Sequence, residues 1–273
     1  MPRASCAAWP GPAAWPEPTA ETAEPAPSGS QARGFEDTVE RMSTLYIVAT
    51  PIGNLEDITH RALRVLSEVD WVACEDTRQT LKLLGRYGIK ARLTPFHSYN
   101  LKRETPRLLG LLEAGQSVAL VTDGGTPGIS DPGSYLVAMA RQRGIAVSPV
   151  PGPSALSAML SVAGFAGPAV SFAGFLSPKP GRRRRELQEL LDRPGGVVLY
   201  ESPHRILKLL EDLSALAPER SCLLGREMTK VHEEFLEGEP KKLLTELAGR
   251  TKLLGEFTVF VRPDKKNQVD SEC

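Results

Sequence analysis

The residue types best suited to holding a small ligand concentrate in residues 121–133, VTDGGTPGISDPG, where four glycines and two prolines surround Asp123, Thr126, Ser130 and Asp131. Glycine lets the backbone approach a ligand and adopt positive φ, and proline stiffens the turn before binding. Asp123, at the end of an apolar run, is placed to accept hydrogen bonds from an amine or a hydroxyl. Asp131 is read as the cap of the helix that follows. The segment is neither a G-x-G-x-x-G fingerprint nor a Walker A loop, so a phosphate-cradling NTPase is disfavoured.

Other turns carry charge at the ends of apolar runs. TPIGNL at 50–55 is shaped by Pro51 and Gly53, with Asn54 as its polar head. Glu75, Asp76, Thr77 and Arg78 make either a polar site or a helix N-cap with an ion pair, and the two readings balance. His97 stands among polar residues at another strand end. In YESPHR (200–205) and REMTK (226–230), capping accounts for Ser202 and Pro203 but less well for Glu201, Arg226 and Lys230. KPGRRRR (179–185) places five positive charges in seven residues. Cations at a helix N-terminus oppose the macrodipole. An anion such as RNA phosphate would relieve this, which makes Arg182, Arg183, Arg184 and Arg185 candidate RNA contacts.

The elements that position these turns follow from the apolar pattern. Short apolar runs at 45–49, 71–74, 117–121 and 146–150 read as strands, and residues 58–69, 77–84, 105–114, 135–143 and 154–162 as helices. This alternation predicts a parallel sheet with helices on both faces. Ligands on such sheets bind beyond the carboxyl ends of the strands, where the TPIGN, DGGTP and PGPS turns converge. A junction at 164–169 opens a second half, with strands at 170–175, 197–201, 222–226, 234–237 and 257–261 and helices at 183–191, 203–215 and 240–247. Steps between strands are shorter there, so the second sheet is expected to be mixed. The expected fold is two α/β domains, 43–166 and 167–263, between an extension (1–42) and a flexible tail (264–273).

Composition narrows the class. With 41% hydrophobic and 24% charged residues, the chain reads as an ordinary globular protein. No run approaches the roughly 18 apolar residues of a membrane span, and no secretory signal is evident. The four cysteines (Cys6, Cys74, Cys222 and Cys273) are far apart, and the four histidines lack H-x-x-x-H spacing. A reduced, cytoplasmic, metal-independent protein is therefore expected. Net charge is zero; residues 1–42 hold six acids and three bases, which leaves 27 acids and 30 bases beyond them. Rich in Ala, Pro, Glu and Ser, residues 1–42 are expected to be disordered, with Met42 directly before the first strand as the expected functional start.

The turns, in their order, resemble the 16S rRNA (cytidine-2′-O)-methyltransferase family within the tetrapyrrole methylase superfamily. The matching stretches are LYIVATPIGNLEDIT, CEDTRQTLKLL, ALVTDGGTPGISDPG, PVPGPSAL, GFLSPKPGRRRREL, VVLYESPHRI, GREMTKVHEEFLEG and GEFTVFV, in register over residues 44–262. The resemblance implies a two-domain α/β homodimer that binds S-adenosylmethionine in its interdomain cleft and acts on 16S rRNA in the small ribosomal subunit. It implies cofactor contacts at Asp123, Gly124, Gly125, Thr126, Pro127, Ser154 and Ala155, with Pro51, Ile52, Gly53, Asn54, Leu55 and Tyr200 lining the pocket. The Glu75–Arg78 and Arg226–Lys230 motifs would face the RNA side, with Glu75, Asp76, Arg78 and Lys230 as the candidate catalytic residues. Many family members continue past the last strand into a small helical region, whereas here residue 273 follows Arg262 closely; RNA grip is expected to rest more on residues 182–185 and the dimer.

For methyl transfer to a ribose 2′-oxygen, the oxygen must lie about 3–3.5 Å from the methyl carbon, in line with the C–S bond. A base should add about 10²–10⁴-fold. Asp76, His97, Glu201, Glu227 and a desolvated Lys230 are the candidates, with the EDTR motif and Lys230 favoured. Two alternatives stand beside this expectation: a methyltransferase acting on a tetrapyrrole or other small substrate, and a non-catalytic ribosome-assembly factor.

Overall fold

The computed structural model describes residues 43–131, 133–167 and 169–264. The expectations for 1–42, and for the tail beyond Asp264, lie outside the described residues.

Each sheet grows from the apolar runs. β1 (Thr44–Val48), β2 (Trp71–Cys74), β3 (Leu93–Pro95), β4 (Val118–Val121) and β5 (Ala146–Val150) form one sheet in the order β3-β2-β4-β1-β5. All its pairings are parallel. Alternation along β4 sends Val118 and Leu120 to one face and Ala119 and Val121 to the other. α3 (Leu101–Glu113) and α4 (Gly133–Gln142) bury the first face, and α1 (His60–Glu68) and α2 (Thr77–Arg86) the second. Parallel strands need this two-sided cover, and it fixes all their carboxyl ends on one edge.

The second sheet contains β6 (Val170–Phe175), β7 (Gly196–Glu201), β8 (Cys222–Arg226), β9 (Glu234–Gly238) and β10 (Phe257–Val261), in the order β6-β7-β10-β8-β9. Only β6–β7 is parallel, so the sheet is mixed as expected. α6 (Pro180–Leu191), α7 (Ile206–Leu216) and α8 (Pro240–Ala248) cover one face. α5 (Ala155–Val162) packs Met159 and Ala163 against Val198, Leu223 and Phe260 on the other. α5 therefore belongs by sequence to the first half and by packing to the second sheet.

Element boundaries moved where punctuation misled. The helix expected at 105–114 begins earlier, at Leu101, and carries Pro106 inside it. β3, at three residues, is too short for its periodicity to define. The SPHR segment forms a turn, and Arg205 rather than Ser202 is the N-cap of α7. None of the described helices is long and apolar enough to cross a membrane.

Candidate active site

Four turns meet beyond the carboxyl ends of the strands. Thr50 and Gly125 exchange two backbone hydrogen bonds of 2.9 Å, and the Thr50 hydroxyl donates to the Thr122 carbonyl at 3.1 Å. Gly124 brings the two turns close, since a Cβ there would crowd the Pro51 carbonyl oxygen at 3.1 Å. The Thr126 hydroxyl donates to the Pro153 carbonyl, tying in the turn that leads to α5. From the second sheet, the Tyr200 hydroxyl accepts from the Leu156 N–H at 3.1 Å.

The turn after β8 locks onto the turn after β1. The Asn54 N–H donates to the Thr229 hydroxyl at 3.1 Å. Glu227 and Thr229 hold positive φ (50° and 66°), strain that a surrounding structure must enforce. A Cβ on Gly53 would collide with the Lys230 side chain and stand 2.7 Å from the Thr229 hydroxyl. Gly53→Ala is therefore expected to cost about 1–3 kcal/mol by overpacking. Gly85→Ala, inside α2 with open space around it, should be neutral or gain up to about 1 kcal/mol. Urea midpoints of the two variants check the contrast; equal midpoints would remove the interlock.

These turns enclose a cleft of about 670 Å³. Pro51, Ile52, Gly53, Leu55, Glu75, Asp123, Gly124, Gly125, Thr126, Ser154, Ala155, Tyr200 and Lys230 line it. Asn54, Pro127, Asp76 and Arg78 do not. Asp76 caps α2 through the Arg78 N–H at 2.8 Å and forms an ion pair of 3.0 Å with the Arg78 guanidinium, which holds its carboxyl below the ordinary range. Of the two readings of EDTR, the cap with an ion pair describes Asp76 and Arg78; Glu75 alone faces the cleft.

Sequence reasoning missed several lining residues. Thr122, Asp131, Phe175 and Glu256 all line the cleft. Asp131, expected to cap α4, also lines the cleft, where its carboxyl lies beside Thr122 and Glu75. Burial, then the Glu75 carboxylate, raises its pKa to about 6. Burial and the Asp123 carboxylate likewise raise Glu75. Burial raises Asp123 itself, although its carboxylate accepts the Asp76 N–H at 3.0 Å. The signal for Asp131 was its place in the same glycine loop as Asp123; for Glu256 the sequence offered none.

Lys230 was expected to be desolvated enough to act as a base, and the structure corrects this. Burial does oppose its charge, but Glu227 at 2.8 Å and Glu256 at 3.1 Å outweigh burial and hold it above the ordinary lysine range. It is a fixed ammonium. Glu227 spends its carboxylate on Lys230 and the Glu256 N–H, and sits below its ordinary value despite burial. Glu201 is 1% exposed, and burial raises its pKa. One of its oxygens accepts the Ser202 N–H at 2.8 Å; the other lies 3.2 Å from the Arg205 guanidinium, out of line for a hydrogen bond.

The arginine run divides. Arg183 is buried and pairs with Asp212 of α7 at 2.7 Å, so it cannot meet a phosphate. Arg184 stands 3.3 Å from the same carboxylate, while Arg182 pairs with Glu186 at 2.8 Å. Arg182, Arg184 and Arg185 are exposed. Cys74 and Cys222 are free and buried, and burial pushes the Cys222 thiol up to about 12. Among the described residues, no group of three or more His, Cys, Asp or Glu is arranged to hold a metal ion.

Known proteins share this arrangement. Residues 44–244 match the family Tetrapyrrole (Corrin/Porphyrin) Methylases. Ribosomal RNA small subunit methyltransferase I of Coprothermobacter proteolyticus is 46% identical over 222 residues, covering 81% of this chain and 99% of that protein. The protein of the same name from Thermotoga maritima is 46% identical over 220 residues, covering 81% and 98%. Uroporphyrin-III C-methyltransferase from Thermus thermophilus, in its complex with S-adenyl homocysteine, superposes with a TM-score of 0.60 at 19% identity, over 80% of this chain and 97% of that one, which establishes the fold. With its glycine-loop cleft, its paired sheets and these relatives, the chain belongs to the tetrapyrrole methylase family and, within it, to the ribosomal RNA small subunit methyltransferases I.

Proposed function

We propose that the protein transfers the methyl group of S-adenosylmethionine to the ribose 2′-oxygen of a decoding-centre cytidine in 16S rRNA of the small ribosomal subunit. Methyl transfer to small-subunit rRNA follows the relatives; the ribose position, the cytoplasmic location and a homodimer follow the family resemblance.

The observation that carries the reading is the charge of the cleft. Glu75, Asp123, Asp131, Glu201 and Glu256 line it against only two cations, Lys82 and Lys230. Such a surface attracts a cationic ligand and repels an anionic one. The Thr122 hydroxyl, with the Asp131 carboxyl beside it, and the buried Glu201 carboxylate both line the cleft. The volume suits a ligand of this size. The donor supplies an activated methyl on a cationic sulfonium. Asp123 with the backbone of Gly124, Gly125 and Thr126 would hold it, beside Ser154, Ala155 and Tyr200.

The remaining chemistry belongs to side chains at the mouth. A 2′-hydroxyl needs its proton removed as the oxygen is methylated, and a base works best with a pKa near the working pH. Of the candidates, Asp76 is ion-paired, Lys230 is an ammonium and Glu227 is occupied. Asp131, coupled to Glu75, is the carboxylate that takes the proton. Lys230, held by Glu227 and Glu256, positions the substrate.

The acidic cleft also weighs against a polycarboxylate tetrapyrrole, which would bring its charges inside. A nucleotide presents a neutral ribose and leaves its phosphates at the rim. Tritium transfer from labelled S-adenosylmethionine tests this. Label is expected in small ribosomal subunits and absent from porphyrin precursors; the reverse would establish the tetrapyrrole reading. Isothermal titration addresses the assembly-factor reading, which a complete lack of S-adenosylmethionine binding would favour.

A further inference from the structure

The acidic donor cleft raises a question of where the flanking phosphates go. Beside it lies a second groove of about 690 Å³, between β6 and α6, and Phe175 lines both cavities. We propose that the RNA strand next to the acceptor nucleotide leaves the donor cleft over Phe175 and runs along this groove, one base stacking on the Phe175 ring and phosphates lying against Arg193 and Arg182. The inference rests on the RNA reading above.

Three observations support this path. First, Phe175 is 56% exposed, yet its ring is held in place. It stands edge-on to Tyr200 at 5.8 Å, and Tyr200 is itself edge-on to Phe172 at 4.9 Å and anchored through the Leu156 N–H. A fixed, exposed ring at the junction of two cavities is a stacking platform that binds any base.

Second, charge changes sign across that ring. The donor cleft carries five carboxylates and two ammonium groups, whereas the groove is lined by Arg182, Arg193 and Arg205 against Glu186 and Glu189. In the groove, Glu186 is occupied by Arg182 and the Ser177 N–H, and Glu189 is the other acid. Arg193 is exposed, and no hydrogen bond or ion pair of its guanidinium is found among the described residues. Phosphates repelled by the cleft meet Arg193, the unpaired cation of this groove, beside the ion-paired Arg182.

Third, the floor of the groove is built, not incidental. Arg205 reaches under it from the start of α7, donating to the Leu176 carbonyl at 2.7 Å while facing Glu201 of the donor cleft. An ion pair between the half-buried Arg205 and the buried Glu201 therefore spans the wall between the two cavities, which keeps their spacing fixed.

Arg193→Glu and Phe175→Ala test the path, with Arg141→Glu on exposed α4 surface as the control. Each full-length variant is assayed for methyl transfer to small ribosomal subunits at several salt concentrations, and for S-adenosylmethionine binding by titration calorimetry. Arg193→Glu is expected to raise KM for the subunit at least 5-fold and to flatten the salt dependence by about 0.7–1 in log–log slope per lost phosphate contact. Donor affinity should be unchanged. Phe175→Ala should raise KM about 5- to 100-fold, the range for losing one base stack. A KM for Arg193→Glu within twofold of wild type, or one matching Arg141→Glu, overturns the path. So does a raised KM with the salt slope intact, which would identify a protein contact on the subunit instead. If wild-type protein labels no RNA, the reading beneath the inference fails first and the path with it.

Discussion

Asp131→Asn is expected to make the protein more stable and nearly inactive at pH 8. The carboxyl titrates near 6 in the fold, against 3.8 ordinarily. A carboxyl raised in this way adds stability only below its ordinary value, and that contribution is lost as pH rises through 6. Above pH 6 the buried charge costs about 1–3 kcal/mol, from the shift and its partial solvation. Asparagine removes that cost, so Tm should rise by several degrees at pH 8 and match wild type below about pH 4. Activity should move the other way, falling about 10²–10⁴-fold with loss of the base. The wild-type rate should climb through pH 6 and then level, and Glu75→Gln should shift that limb to lower pH, because Glu75 helps raise Asp131. A fully active Asp131→Asn with an unchanged pH profile would transfer the role of base elsewhere, with Glu201 next in line.

Arg183→Ala is expected to unfold much of the protein's stability margin without acting on RNA directly. The guanidinium is 4% exposed and carries Asp212, so its removal strands a buried carboxylate. Breaking such a pair costs roughly 3–5 kcal/mol, and Arg184 at 3.3 Å keeps the loss toward the lower end. Replacing both partners by apolar residues of similar volume, Arg183→Met with Asp212→Leu, should recover most of the loss. Denaturant titration of the single and double variants measures this. A stable Arg183→Ala with weakened RNA binding would restore the surface role first expected of this residue.

These two residues mark where sequence stops being legible. The strand–helix order of the first half could be read because parallel strands are buried on both faces and appear as bare apolar runs, as in VALV of β4. Ligand-approaching turns could be read because glycine and proline declare backbone geometry. Short or interrupted elements could not: β3 has three residues, and Pro106 lies within α3. Side-chain destiny was harder still. The four consecutive arginines look alike in sequence, but helical spacing turns one of them, Arg183, inward to α7. Lys230 looked like a base until Glu227 and Glu256, from a different strand connection, were seen to hold its charge. The place of Asp131 in the cleft was hidden because its partner Glu75 lies 56 residues away in the chain and meets it only across the sheet edge.

The central claim, methylation of a small-subunit rRNA ribose, is tested most directly by mass mapping of that RNA from cells deleted for this gene. The account predicts that one cytidine loses its 2′-O-methyl group, that the wild-type gene restores it, and that the Asp131→Asn gene does not. An unchanged set of ribose modifications in the deletion strain would contradict it.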